Sequence, residues 1–407
     1  MLAVDATTLV DTPLPGDASA IVEELRELEE LKCAAEARQA RLAHALDRIR
    51  QDELAERMRL ESSPAPVAPH LEIALARRIS PHRGRQALSL ARFLASDLPH
   101  TRAAFDAGRI SEWRATLIAR ETSCLEAENR AAVDELVASD AEALSRQGDR
   151  EIVVTCRREA ARLDAAAIAA RRRRAESERR VSIRPAPDSM VYLTALLPVA
   201  QGVGVYAALK AAAETAVGTG RAISVGNAMA DELVRRASCR EQAEAQPVAV
   251  RLTMSSGALL AHADDPAFLE GFGPIPAEAG RALIADNLDA GAKVWLKRLF
   301  VRPETGELIA MDSRNRFFPR GLAEFIGLRD RWCRNVYCGA PIRQTDHVRP
   351  FADGGATSAE NGQGLCADCN LSKQAAGFTS TPVPGSTHTV EMVTPTGHAY
   401  RTGPPAA

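Results

Sequence analysis

Four of the eight cysteines fall in one window of 37 residues: Cys333 and Cys338 with four residues between them, Cys366 and Cys369 with two. Thiolates in close pairs can share one ion, and four at about 2.3 Å satisfy tetrahedral zinc. In a long chain with no secretory leader pattern, such pairs point to metal and not to disulfides. A four-thiolate site is coordinatively closed, so this zinc would staple the fold and take no part in a reaction. Reactive groups lie between the pairs. Asp346 offers a hard oxygen ligand of the kind Mg²⁺ takes. His347 beside it offers an imidazole whose ordinary pKa, about 6.5, suits a general base near neutral pH. Phosphodiester hydrolysis needs both: a base to make hydroxide, and a cation to stabilise the pentacovalent phosphorane and the leaving oxygen.

The local sequence supplies a frame for these groups. Asp346-His347-Val348-Arg349-Pro350 reads as a strand end, and Asp353-Gly354-Gly355-Ala356-Thr357-Ser358 as a tight loop. Asn361 follows, and Cys366 to Lys373 reads as a helix start. Strand, loop, strand and helix around a metal make a compact scaffold. Residues 293–349 hold twelve basic and six acidic residues, a local charge of +6 in a chain whose formal net charge is −2. A globally basic nucleic-acid binder is thereby excluded, and a local polyanion site is favoured. Arg314, Arg316 and Arg320 lie in this basic approach. Arg171 to Arg174 form the most basic run, and two readings stand for it: a solvated helix face interleaved with Glu176 and Glu178, or a phosphate-contacting face.

With 407 residues the chain is long enough for two or three domains. Its 46% hydrophobic content excludes global disorder, and 4% aromatics argue against a base-stacking platform. No apolar run approaches the roughly 18–20 residues of a membrane span, so no membrane partner is expected. No signal peptide is visible at Met1 to Asp5, and the cytoplasm is the expected location.

Residues 17–61 read as one long helix capped by Asp17 or Ser19, with Ile21, Leu28, Ala35, Leu42 and Ile49 repeating every seven positions. Its second seam is interrupted by Glu24, Arg38 and Asp52. The helix either forms a self-standing coiled coil, giving a homo-oligomer, or docks on the next domain, the reading the broken seam favours. Residues 62–69 read as a Pro-rich linker. Residues 71–320 are mostly helical, with short strand-like runs at 181–183, 190–193, 248–254, 295–301 and 308–311. Residues 379–407 read as an irregular Pro, Gly and Thr-rich tail, with a small hairpin between His388 and Arg401. His262, His388 and His398 read as structural or exposed, and Cys33, Cys124, Cys156 and Cys239 as buried small hydrophobes.

Asp346-His347, Asn361 and Asn370, set within two cysteine pairs, resemble the ββα-metal fold of HNH endonucleases over residues 325–378. The resemblance implies His347 as general base and Asn361 as the tie that holds its loop. It implies Asp346 and Asn370 as holders of a catalytic divalent ion, and DNA as the partner. Lys373 would face a phosphate, with Arg349 and the upstream arginines as further nucleic-acid contacts. Asn in place of a third His makes the ion site oxygen-rich, which favours Mg²⁺ or Mn²⁺ over zinc there. Leu98-Pro99, Gly108-Arg109-Ile110-Ser111, Glu270 to Pro276 and Asp330-Arg331-Trp332-Cys333 resemble domain of unknown function 222, a mostly helical region that commonly precedes an HNH nuclease. The expected fold is mainly α, a large helical N-terminal region with a few short strands, followed by a small zinc-stapled ββα-metal domain. The expected function is an endonuclease; the alternative is a non-catalytic zinc-stapled DNA-binding or regulatory protein of the same fold.

Overall fold

A computed structural model describes residues 10–238, 251–289, 312–313, 316–385 and 388–405. The chain is mainly helical. Helix α1 (Ala18–Leu60) starts where the Asp17 carboxylate accepts from Ala20 N at 3.0 Å. Eight shorter helices follow: α2 (Pro69–Arg77), α3 (Pro81–Ser96), α4 (Pro99–Asp106), α5 (Glu112–Thr122), α6 (Ala127–Ala138), α7 (Ala141–Arg146), α8 (Asp149–Leu163) and α9 (Ala165–Ser177). Proline opens α2, α3 and α4, where its missing N–H costs nothing. Leu88, Leu98, Phe105, Ile118, Val133, Leu144 and Ile152 form their shared core.

Helix α1 docks on this core, by a face other than the seven-residue stripe. Cys33, Ala37, Ala40 and Ala43 are buried, while Ile21, Leu28, Leu42 and Ile49 are exposed. Small residues let the helix axes approach, and polar pairs complete the seam. Arg92 grips Asp47 through two bonds of 2.7 Å, and Arg50 grips Glu72 at 2.8 and 2.7 Å. Gly108, at φ +73°, lies under α1, where a Cβ would stand 2.5 Å from the Glu30 carbonyl oxygen. Arg109 beside it pairs with Glu30 at 2.9 Å.

Next come β1 (Arg180–Pro185) and β2 (Val191–Leu196), an antiparallel hairpin, then α10 (Val199–Gly218) and α11 (Val225–Ser238). A small sheet of β3 (Leu252–Thr253), β4 (Ala267–Leu269) and β5 (Gly273–Ile275) brackets α12 (Ser256–Leu260) and precedes α13 (Ala277–Asp289). The strand-like runs at 295–301 and 308–311, residues 248–250 and Cys239 lie outside the described residues. The basic run on α9 is engaged with its own chain: Arg172 pairs with Glu176 at 2.9 Å, Arg174 with Glu178 at 3.5 Å, and Arg171 donates to Glu121 O at 3.0 Å.

The C-terminal unit begins with β6 (Asp312–Ser313) and α14 (Arg320–Asp330). It continues through β7 (Gln344–His347), a 3-10 turn at Phe351–Asp353, β8 (Thr357–Ser358), β9 (Gly362–Leu365) and α15 (Ala367–Ser372). Strands β7 and β9 pair antiparallel, with Asp346 opposite Gln363 and His347 opposite Gly362. This is the strand-loop-strand-helix frame read from the sequence.

Two expectations are corrected here. The tail is more ordered than expected: the hairpin forms as β11 (Val390–Val393) and β12 (Ala399–Thr402), and β10 (Thr379–Pro382) adds a third antiparallel strand. Val390 and Met392 alternate inward, and long-range cover makes the sheet worth forming. Residues 62–69 are also more than a linker. Ala68, Leu71 and Leu75 share a core with Ala375, Phe378 and Met392, and Ala376 N donates to Pro66 O at 2.8 Å. The helical region and the C-terminal unit are therefore packed together.

Candidate active site and metal centre

The four sulfurs of Cys333, Cys338, Cys366 and Cys369 lie within 4.8 Å of one another. Cys338 Sγ is 3.8 Å from Cys366 Sγ and 3.6 Å from Cys369 Sγ. A tetrahedron with bonds of about 2.3 Å has edges of about 3.8 Å, so the cluster is preformed for an ion such as zinc. Local backbone makes it so. Tyr337 (φ 61°) and Gly339 (φ 62°) turn the chain around Cys338, and Cys366 caps α15, its sulfur accepting from Cys369 N at 3.4 Å. Asn335 Nδ2 donates to Cys369 Sγ at 3.2 Å. Crowding splits the acidities: Cys338, hydrogen-bonded to Cys333, is held low, while Cys333 and Cys369 are pushed up. A cation at the centre would relieve that conflict.

His347 closes β7 and is 7% exposed. Its Nε2 is 2.8 Å from Thr357 Oγ1. The Phe318 ring lies 4.5 Å from the imidazole, centre to centre, and the Phe351 ring 5.7 Å. Burial lowers the pKa of His347; Asp346 opposes this, and Lys373 and Arg316 add to it. The imidazole is therefore neutral at neutral pH and able to take a proton.

Asn361 ties the next turn of chain. Its Oδ1 accepts from Arg349 N at 2.9 Å, and its Nδ2 donates to Arg349 O at 3.0 Å and Ala356 O at 2.8 Å. Gly355 makes the approach possible, because a Cβ there would sit 2.0 Å from Arg349 O. Arg329 braces the frame from α14, donating to Ala359 O at 2.5 Å and Gly362 O at 2.7 Å. The fully buried Asp330 accepts from Gly364 N at 2.7 Å.

Asp346 and α15 make the second half of the site. Asn370 Nδ2 donates to Gln344 Oε1 at 2.5 Å, while its Oδ1 is buried with no hydrogen-bond partner among the described residues. A carboxylate and an unsatisfied amide oxygen suit a hard divalent cation. Lys373, which the resemblance sets toward a phosphate, is turned inward in this structure. Its side chain is 8% exposed, and its ammonium is ion-paired with Asp346 and donates to His347 O. The buried ammonium thus has a half-buried carboxylate as its counter-charge.

Residues 333–376 match the HNH endonuclease family. Residues 24–330 match a domain of unknown function, DUF222. The chain belongs to the DUF222 family and carries an HNH endonuclease domain. No curated protein and no solved structure matches it. Among the described residues no helix is long and apolar enough to cross a membrane.

Arg316, Arg320 and Arg349 are exposed around the HNH domain, and Arg314 lies outside the described residues. The sequence reading missed Thr357 and Phe318. Thr357 stood in the loop already singled out, but nothing local said that its hydroxyl turns to His347. It also missed the seam between the two domains, where Arg85 of α3 is ion-paired with Asp368 of α15 and His70 Nε2 is 3.3 Å from Ser372 Oγ. The DUF222 helices thus buttress the HNH helix that carries Asn370 and Lys373.

Proposed function

We propose that the HNH domain is a metal-dependent endonuclease hydrolysing DNA phosphodiester bonds. The observation that supports this best is His347: a buried, neutral imidazole beside a carboxylate, oriented by Thr357 and walled by Phe318. In the tautomer whose Nε2–H donates to Thr357 Oγ1, the lone pair at Nδ1 takes the proton of the attacking water. Asn361 holds the chain at Arg349 so that the imidazole keeps its direction. Asp346 and Asn370 would hold Mg²⁺ or Mn²⁺, which supplies charge stabilisation for the phosphorane and the departing oxygen. Zinc on the four cysteines is structural. Arg316, Arg320 and Arg349, with Arg314, contact phosphates; each contact removed lowers the salt slope of duplex binding by about 0.9.

The test is supercoiled plasmid incubated with a divalent-metal panel, wild type beside His347→Ala. Loss of base catalysis costs about 10²–10⁴-fold, while zinc content and DNA affinity stay near wild type. Asp346→Ala also inactivates and raises the metal concentration needed for residual cleavage; Asn370→Ala does so more mildly. One observation favours the non-catalytic alternative, the pairing of Asp346 with Lys373. Equal cleavage by wild type and His347→Ala under every metal would overturn this mechanism and favour that alternative.

A further inference from the structure

Lys373 is the one lysine in the HNH domain, and its position is unusual for a lysine of a nucleic-acid-binding surface. It sits one residue past the end of α15, where its amide donates to Cys369 O at 3.0 Å. Its stem therefore starts beside the thiol cluster and lines a small cavity together with Arg334, Asn335, Gln363 and Leu365. From there it runs to the Asp346 carboxylate and the His347 carbonyl. Both Nζ partners are oxygens, one of them charged, and both belong to the residues assigned to the reaction. Asp346 Oδ2, the oxygen paired with Lys373, is itself shielded from solvent. Asn370 Oδ1, on the helix that Lys373 follows, is buried without a hydrogen-bond partner among the described residues.

We propose that the Lys373 ammonium is a built-in competitor of the divalent cation: the two exchange on the Asp346 carboxylate. The inference rests on the nuclease reading for the assignment of Asp346 to a cation. Its physical basis is that a monovalent ammonium and a divalent ion both seek the Asp346 carboxylate. A carboxylate already neutralised by an ammonium yields less free energy to an arriving ion than a bare one. The cation must pay for breaking the pair and for moving a buried charge. Lys373 therefore keeps the site assembled without metal and raises the metal concentration at which it fills. The same pair makes Lys373 a positioning residue, since its second bond holds the backbone of His347.

The test reads metal binding and needs no cleavage. Full-length protein with its zinc in place is titrated with Mn²⁺, and free ion is followed by electron paramagnetic resonance. Lys373→Met keeps the stem and removes the charge; it should bind Mn²⁺ about 10–100-fold more tightly than wild type. Lys373→Arg should stay near wild type. Asp346→Ala added to Lys373→Met should abolish the gain. Unchanged or weaker Mn²⁺ binding by Lys373→Met, with Asp346-dependent binding intact in wild type, overturns the competition and leaves the nuclease reading standing. Absence of Asp346-dependent Mn²⁺ binding in both proteins overturns the two together. Wild type provides a second measurement that no misfolded variant can spoil: amine-reactive labelling read by mass spectrometry. Lys373, protected without Mn²⁺, should become labelled as the ion is added; protection unchanged at saturating Mn²⁺ also overturns the proposal.

Discussion

Asn361 is the sharpest test of how the active-site loop is built. Its side chain is 7% exposed and makes three hydrogen bonds, two as donor to the carbonyls of Arg349 and Ala356 and one as acceptor from Arg349 N. At about 1 kcal/mol net per bond, Asn361→Ala should destabilise the HNH domain by about 3 kcal/mol. Asn361→Asp is nearly isosteric and keeps the acceptor, yet it turns a carboxylate oxygen toward two carbonyls that the amide met at 3.0 and 2.8 Å. It should be at least as damaging as Ala at neutral pH, and should recover on acidification as the carboxyl regains a proton to donate. Cleavage should fall about 10²-fold in both, because the loop two residues past His347 loosens. Zinc release against temperature, read with a chromogenic chelator, reports stability, and plasmid cleavage at a permissive temperature reports function. Release and cleavage at wild-type values in both variants would refute the tie. An Asp variant clearly more stable than the Ala variant would refute the two-donor orientation of the amide.

Cys366→Ser should unfold the HNH domain, since a structural zinc site contributes on the order of 10 kcal/mol; elemental analysis and circular dichroism would show a zinc-free but folded domain if this is wrong. Gly355→Ala puts a methyl 2.0 Å from Arg349 O, so cleavage should drop as in Asn361→Ala; a wild-type rate would show that the turn has room to move. Because burial lowers the pKa of His347, cleavage rate should climb with pH with the midpoint of its acid limb below the ordinary histidine value of about 6.5; an acid limb centred above 6.5 in a pH–rate profile would contradict this. His388 is pushed down to about 4, chiefly by burial, with Arg329 and Arg334 adding to the effect. Both states are neutral above 6.5, and the unfolded state takes the proton first on acidification. Stability should thus fall by about 3 kcal/mol between pH 6.5 and 4, and denaturant melts of His388→Leu should lack that fall.

The candidate site was legible because it is local in sequence. Two close cysteine pairs can chelate one ion by themselves, and Asp346 and His347 are adjacent. The Gly354-Gly355 turn and the helix start at Cys366 follow from backbone rules that act over a few residues. The N-cap of α1 at Asp17 was legible for the same reason. What the tertiary structure decided is everything that depends on which distant surface arrives. Periodicity marked a seven-residue stripe on α1, but the helix buries its alanine face, because Arg92 and Glu72 come from other helices to meet Asp47 and Arg50. The tail forms a sheet because Leu71 and Leu75, some 300 positions earlier, cover Met392. Thr357 and Phe318 reach His347 through packing that no spacing rule encodes. Nothing in the spacing said where the Lys373 ammonium would end; only folding brings it to Asp346, since the electrostatic choice between solvent and that carboxylate exists only once the pocket is closed.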